Sequence, residues 1–385
     1  MASASNSSPS TSTALVRYEP TSHKSFLEAA ADWAVSHDFE VAKFESQHLS
    51  LEGRLIYLAQ NLPKMLPFPF SGVIAFQARD GLIVQVCHCP NQPEFTTNQP
   101  FNVLSIGKLF TATAVMQLKE DGKFSLNTPL SKLLKDNELD LPLQPPYLGE
   151  KPDKKSLESL KEHSAEITVG HLLSHTAGFT IRPGLEADRE NWDHRQIGKE
   201  CYSNYGYQLL ARIIGKHTNC GNKLVIDHES RFRSHIEERI FKPAGMEGAI
   251  REIHSPARSR PDRFEVSKDG VATRVEFPEP YPHGNGCWRM TASDLLAFGS
   301  AIHKHHVLIR EDSFNTMMEY KRLGFWVDHD QKTGAVVGYG HPGSDSGMSS
   351  VLHTWQTNPP ITAVVLSNYS GCVMVKPELD KLIKQ

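Results

Sequence analysis

Strand-like patterning in this chain is confined to its two ends, with a long helix-patterned stretch between them. Phe70 to Phe76 and Leu82 to Val86 are rich in β-branched and aromatic residues and flank Arg79, Asp80 and Gly81, which predicts a hairpin. Gly324 to Val327, Ala335 to Tyr339, Ser349 to Trp355 and Ile361 to Ser367 repeat the pattern, separated by Asp/Gly or Pro turns. In the middle, Val169 to Ser174, Tyr205 to Ile214 and His235 to Phe241 follow helical spacing, and strand alternation is scarce. Short strands so far apart in sequence bury their faces by sharing one sheet. The expected fold class is therefore α+β: an antiparallel sheet flanked by terminal helices, with a mostly helical second lobe inserted into it.

The ends of the chain refine the boundaries. Residues 1–18 are almost all Ser, Ala, Thr and Asn and read as a disordered tail. Residues 19–120 and 321–385 are assigned to the sheet lobe, and 121–320 to the helical lobe. Phe26, Ala29, Ala30, Trp33 and Ala34 predict a helix before the first strand, and Leu51 to Leu58 a second. Three prolines interrupt Leu62 to Phe70. Ile106 to Leu118 forms an apolar helix closed by Asp121-Gly122, and Thr291, Ser293 and Asp294 cap the start of another.

Charge and cysteine usage exclude several function classes. Forty-one Lys plus Arg against 44 Asp plus Glu leave a formal charge of −3, which offers no bulk attraction to nucleic acid or to an anionic membrane. Six cysteines, at 87, 89, 201, 220, 287 and 372, are too dispersed for a disulfide framework and are expected as thiols. With no secretory pattern and no run of 18 apolar residues, the expectation is a cytoplasmic protein without a membrane span, and the Ser/Thr-rich start with Arg17 leaves organelle targeting or specialised secretion as the alternative.

Three short constellations can carry chemistry. Ser105-Ile106-Gly107-Lys108 places a hydroxyl and an amine three residues apart, on one face of a helix. A serine hydroxyl needs a base to take its proton, and a lysine whose ammonium is desolvated can be that base. Helix N-terminal amides beside Ser105 favour negative charge on a nearby carbonyl oxygen. Tyr202-Ser203-Asn204 precedes the apolar helix from Tyr205; the Tyr202 hydroxyl can relay a proton, and the Asn204 amide can hold Lys108 and a substrate carbonyl. His341-Pro342-Gly343 ends the predicted strand Ala335 to Tyr339, and His341 can donate to a substrate there. The Ser344 amide can join that of Ser105 in binding an oxyanion. Taken singly, each has an ordinary explanation as a cap, a packed tyrosine or a turn.

Other signals are weaker. Cys87-His88-Cys89 puts two thiols on one strand face and His88 on the other, with no second Cys pair to complete a zinc site. His305-His306 and the other histidines lack a His-Glu-x-x-His pattern, so no metal and no cofactor is expected. Lys332-Thr333-Gly334 reads as a hairpin turn rather than an active element.

In order and context, the three elements resemble those of the serine beta-lactamase-like hydrolases of the penicillin-binding type, in the class C beta-lactamase, D,D-peptidase and carboxylesterase branch. The resemblance spans about residues 70 to 370. Thr168 to Gly178, Tyr202 to Tyr207, Phe241 to Met246, Gly284 to Gly286 and Met290 to Leu295 also look like segments of that family. It implies that Ser105 attacks a carbonyl, that Lys108 and Tyr202 share the proton transfers, and that water or another acceptor resolves an acyl-enzyme. Catalytic residues are thus expected at Ser105, Lys108 and Tyr202, and substrate or oxyanion contacts at Ser105, Asn204, His341, Gly343 and Ser344.

His341 stands where class C lactamases carry Lys, which weakens a clamp for the lactam carboxylate. Pro342 removes a backbone donor beside the substrate strand, which disfavours an extended peptide. The expected partner is a small-molecule ester or amide. Acyl transfer to an acceptor, D-amino-acid peptidase or beta-lactamase activity, and a catalytically silent scaffold are the alternatives.

Overall fold

In the computed structural model, the described residues are 50–65, 70–78, 81–90, 92–141, 152–181, 190–221, 227–256, 260–267, 271–276, 283–303, 307–320, 322–370, 376, 379–380 and 383. The tail, the Phe26 to Ala34 helix, His305-His306, Cys372 and the Arg79-Asp80 part of the first turn lie outside them.

The chain runs from a helix, Leu51–Met65, into strands β1 (Gly72–Ala78), β2 (Ile83–His88) and β3 (Phe101–Asn102). The middle holds two hairpins, β4 (Ala177–Ile181) with β5 (Glu190–Ile197), and β6 (Arg263–Val266) with β7 (Ala272–Val275), and then β8 (Arg289–Met290). Strands β9 (Arg322–Leu323), β10 (Phe325–His329), β11 (Val336–Asp345), β12 (Met348–Trp355) and β13 (Ile361–Ser367) follow. The main sheet has seven strands in the order β2-β1-β13-β12-β11-β10-β9, and every neighbouring pair is antiparallel. Its centre joins the two ends of the sequence, with Gly72 opposite Ser367 and Ala78 opposite Ile361.

Both faces of this sheet are covered, which explains why β12 and β13 are buried at every residue. On β1, Ile74 and Phe76 point to one face, where Leu55, Leu58, Ala59 and Leu62 of the first helix meet Val351, Trp355 and Val365. Pro63 sits inside that helix, which continues to Met65 instead of stopping at the first proline. Val73 and Ala75 point the other way, into the large core shared with the helical lobe.

The Gly107–Glu120 helix crosses that core and is buried from Gly107 through Leu118. Phe110 on it meets Phe241, Phe298 and Trp288 edge-on, at ring separations of 5.2, 4.9 and 6.5 Å. Helices at Val169–Leu173, Asn204–His217 and Ala292–His303 occupy regions with helical spacing, while the His235 to Phe241 stretch is the end of the His228–Ile236 helix continued as a π-helical turn, Glu237–Phe241. At the start of the last one, the Thr291 and Asp294 side chains each accept from the other's backbone N–H, at 3.2 and 2.8 Å.

Two local expectations are corrected. The long polar stretch 182–200 reads from its sequence as a loop at the cleft rim, yet Glu190–Ile197 is a strand paired with β4, with Glu190 and Trp192 alternating inward. The polar region 252–279, expected at the same rim, contains the β6–β7 hairpin. His341-Pro342-Gly343 does not end a strand; β11 runs through it to Asp345, paired with β12 throughout. Proline is tolerated because the pairing of β11 with β10 stops at Gly340, opposite Trp326. The Lys332-Thr333-Gly334 turn is as expected, with the Asp330 carboxylate accepting from the Lys332 and Thr333 N–H groups and Gly334 left-handed at φ 70°.

Candidate active site

Ser105 lies in a single 3-10 turn, Leu104–Ile106, that leads directly into the Gly107–Glu120 helix. The entry is tight: Leu104 is left-handed at φ 53°, and its N–H donates to Asn102 Oδ1 at 2.9 Å. A Cβ on Gly107 would stand 2.6 Å from the Gly286 Cα and 2.8 Å from the Trp288 ring. The glycine thus lets the 284–288 segment cross the helix start. That crossing places the Asn285 carbonyl over Lys108.

Lys108 is fully buried. Its Nζ donates to Ser105 Oγ at 3.1 Å, Asn204 Oδ1 at 2.7 Å and the Asn285 carbonyl at 2.8 Å. The Tyr202 and Tyr207 rings lie 4.7 and 5.6 Å from the amine. Burial pulls its pKa from the usual 10.5 down to about 7, against the opposing pull of Cys287 and Glu190. Near neutral pH a substantial fraction of the amine is therefore unprotonated while it points at a serine hydroxyl.

Tyr202 and Asn204 are positioned from the start of the Asn204–His217 helix. Ser203 caps it, accepting from the Gly206 N–H at 2.8 Å. The Ser203 N–H donates to His175 Nδ1 at 3.0 Å, and the His175 ring stacks on Tyr202 at 4.4 Å. Burial raises the Tyr202 phenol well above its ordinary value, so the group is protonated. Its hydroxyl faces Ser105 and has no standard hydrogen bond among the described residues.

The third wall is β11. A Cβ on Gly343 would lie 2.4 Å from Ser350 Oγ and 2.7 Å from the Val103 carbonyl, so only glycine lets this strand pass against the Ser105 turn. His341 is 2% exposed, and burial, aided by the Lys108 charge, lowers its pKa to about 3. The ring is neutral. Its Nδ1 faces the Pro342 carbonyl at 2.5 Å; a carbonyl only accepts, so Nδ1 carries the hydrogen and Nε2 is a bare acceptor.

One cavity of about 520 Å³ is lined by Ser105, Tyr202, His341, Ser344, Arg322 and Trp326, among others. Arg322 covers the Trp326 ring at 4.4 Å and pairs with Glu200 at 2.6 Å. The named residues Ser105, Lys108, Tyr202, Asn204, His341, Gly343 and Ser344 thus converge on one cleft, five through direct contact or cavity lining and Asn204 and Gly343 from just behind it.

Two groups escaped the sequence reading. Glu190, 4% exposed, accepts hydrogen bonds at the start of the Asn204–His217 helix; its only signal was the inward alternation with Trp192. Asp328, His353 and Asp380 approach one another, and Asp328 and His353 also line that cavity. The Lys376 ammonium, 2.7 Å from Asp328 and 3.0 Å from Asp380, already serves the two carboxylates there. Cys87, on β2, and Cys89, just beyond its end, bring their sulfurs to 3.6 Å.

Fold and site together define a serine-hydrolase scaffold of the beta-lactamase and penicillin-binding-protein type. The profile of the beta-lactamase family matches residues 71–384, and the chain belongs to that family, with the serine-hydrolase chemistry of its superfamily. It is 24% identical over 316 residues to penicillin-binding protein 4 of Amycolatopsis lactamdurans, covering 71% of this chain and 73% of that one. The penicillin-binding protein of Bacillus halodurans superposes with a TM-score of 0.61 at 19% identity, over 81% of this chain and 97% of that one. A D-stereospecific amidohydrolase from Streptomyces sp. superposes with a TM-score of 0.56 at 19% identity, over 87% and 95%. Among the described residues no helix is long and apolar enough to cross a membrane.

Proposed function

We propose that the protein is a serine hydrolase acting through an acyl-enzyme on a small ester or amide, with carboxylesterase-like selectivity. The observation that carries this reading is the buried Lys108 amine, 3.1 Å from Ser105 Oγ and with its pKa drawn down to about 7. Neutral Lys108 takes the Ser105 proton as Oγ bonds to the substrate carbonyl carbon. The amides of Ser105 and Ser344 receive the oxyanion. As the tetrahedral intermediate collapses, the protonated Tyr202 phenol supplies a hydrogen to the leaving group and is restored from Lys108. Water then attacks the Ser105 ester by the reverse sequence.

Two features support an ester or simple amide over a lactam or peptide. The neutral His341 offers no cation for a carboxylate, and Pro342 offers no N–H at the unpaired edge of β11. The reading includes action in the cytoplasm, supported by the dispersed cysteines, and cell fractionation tests that part.

The experiment is intact-mass analysis with a serine-reactive fluorophosphonate. One stoichiometric adduct on Ser105, absent in Ser105→Ala, is expected; folded protein that takes no adduct would instead be a silent scaffold. Following acyl adducts of an ester, a D-amino-acid amide and a beta-lactam over time separates hydrolysis from transfer and from inhibition.

A further inference from the structure

Glu190 belongs to none of the three motifs, yet both its carboxylate oxygens are engaged beside them. Oε1 accepts from the Asn204 N–H at 2.5 Å and the Tyr205 N–H at 3.2 Å. Oε2 accepts from the Ser203 hydroxyl at 2.5 Å and the Tyr205 N–H at 3.3 Å. Because Ser203 Oγ is itself an acceptor for the Gly206 N–H, its hydrogen is directed to Glu190. Each of these partners donates, the pattern of an ionised carboxylate; a protonated acid would have to place its own hydrogen among donors. The helix N-terminus adds its positive end to the same site.

We infer that Glu190 is a positioning residue for the Ser105 chemistry: it fixes the Asn204 amide against Lys108 and supplies the buried negative charge that balances the lysine ammonium. The inference rests on the hydrolase reading above. Asn204 links the two charges, since its N–H is held by Glu190 while its Oδ1 accepts from Lys108 Nζ at 2.7 Å.

Lys108 is faced by Ser105 on its own turn, Tyr202, Tyr207 and Asn204 from the adjoining helix start, and Asn285 and Cys287 from the crossing segment. His175 and His341 approach from the other side, both held neutral by burial, and Arg322 stands at the rim. Glu190 is the carboxylate of this set that raises the affinity of Lys108 for a proton, with Cys287 acting in the same sense. When Lys108 takes the proton from Ser105, the new ammonium meets a charge already in place. Burial raises the Glu190 pKa, and the hydrogen bonds from Ser203, Asn204 and Tyr205 together with the Lys108 charge oppose that rise and favour the carboxylate.

The test uses Glu190→Gln and Glu190→Asp in the full chain, with two readouts. The first is the Lys108 titration midpoint, from 13C NMR of lysine-labelled protein assigned with Lys108→Arg. The second is the pH dependence of phosphonate labelling. Glu190→Gln is expected to lower the midpoint by roughly half to one pH unit, carry the acid limb of labelling down with it, and slow the plateau about ten-fold. An unmoved midpoint in folded Glu190→Gln overturns the inference. Glu190→Asp keeps the charge but draws it back by one methylene, so the midpoint returns toward wild type while the plateau stays low. A wild-type plateau in that variant overturns the positioning role even if Glu190→Gln does not fold. A midpoint that responds to Glu190→Gln, in a wild-type protein that takes no phosphonate, overturns the hydrolase reading and leaves the charge coupling standing.

Discussion

Lys108 holds an ammonium group where water does not reach, and the consequences are measurable one residue at a time. Its base form dominates above about pH 7, so Ser105 acylation should rise nearly ten-fold per pH unit below that value and level off above it. Stopped-time labelling from pH 5 to 9 reads this directly; a limb at ordinary lysine values would remove the base assignment. Lys108→Ala should slow labelling by about 10² to 10⁴-fold while circular dichroism stays native. Equal rates would end its role. Tyr202→Phe should spare the acid limb but slow turnover of esters with poor leaving groups more than activated ones, if the phenol is the acid as proposed.

At the scale of elements, two contacts decide how the site is held. Asp294 accepts from the Thr291 N–H and hydroxyl, each at 2.8 Å, and from the Gly248 N–H at 2.9 Å. Asp294→Ala should cost about 2 kcal/mol in urea unfolding, since a cap and a buried tie are lost together. Gly343→Ala should push β11 off the Ser105 turn and depress labelling at least ten-fold, because neither Ser350 Oγ nor the Val103 carbonyl leaves room.

Much of this level was legible: Ile361 to Ser367 reads as a strand because Ile361, Thr362, Val364 and Val365 are β formers following the Pro359-Pro360 turn, and β13 has those bounds. The Ser105, Tyr202 and His341 segments were legible because each joins a reactive side chain to an element boundary or turn signal. β11 beyond Tyr339 was not, since Gly340 and Pro342 break strands unless one edge is left unpaired. Glu190 was hidden for a different reason. A carboxylate beside Asn191, Asp193 and His194 looks solvated until the start of the Asn204–His217 helix closes over it.

For the whole molecule, the Gly107–Glu120 helix is the member on which both lobes bear. Phe110 touches Phe241 and Trp288 from the helical lobe and Phe298 from the helix lying on the sheet. Phe110→Ala should therefore cost roughly 3 to 5 kcal/mol and lower Tm and Ser105 labelling together; a stable protein with unchanged labelling would refute this shared support. The pairing of Gly72 with Ser367 has a bearing on biosynthesis. Since β1 finds its neighbour β13 only after nearly every intervening codon has been translated, the nascent chain leaves the ribosome tunnel without a hydrolytic centre. The first strands must then wait, with an unmatched edge that a chaperone can shield, until synthesis at about 5 to 20 residues per second brings the last hairpins out.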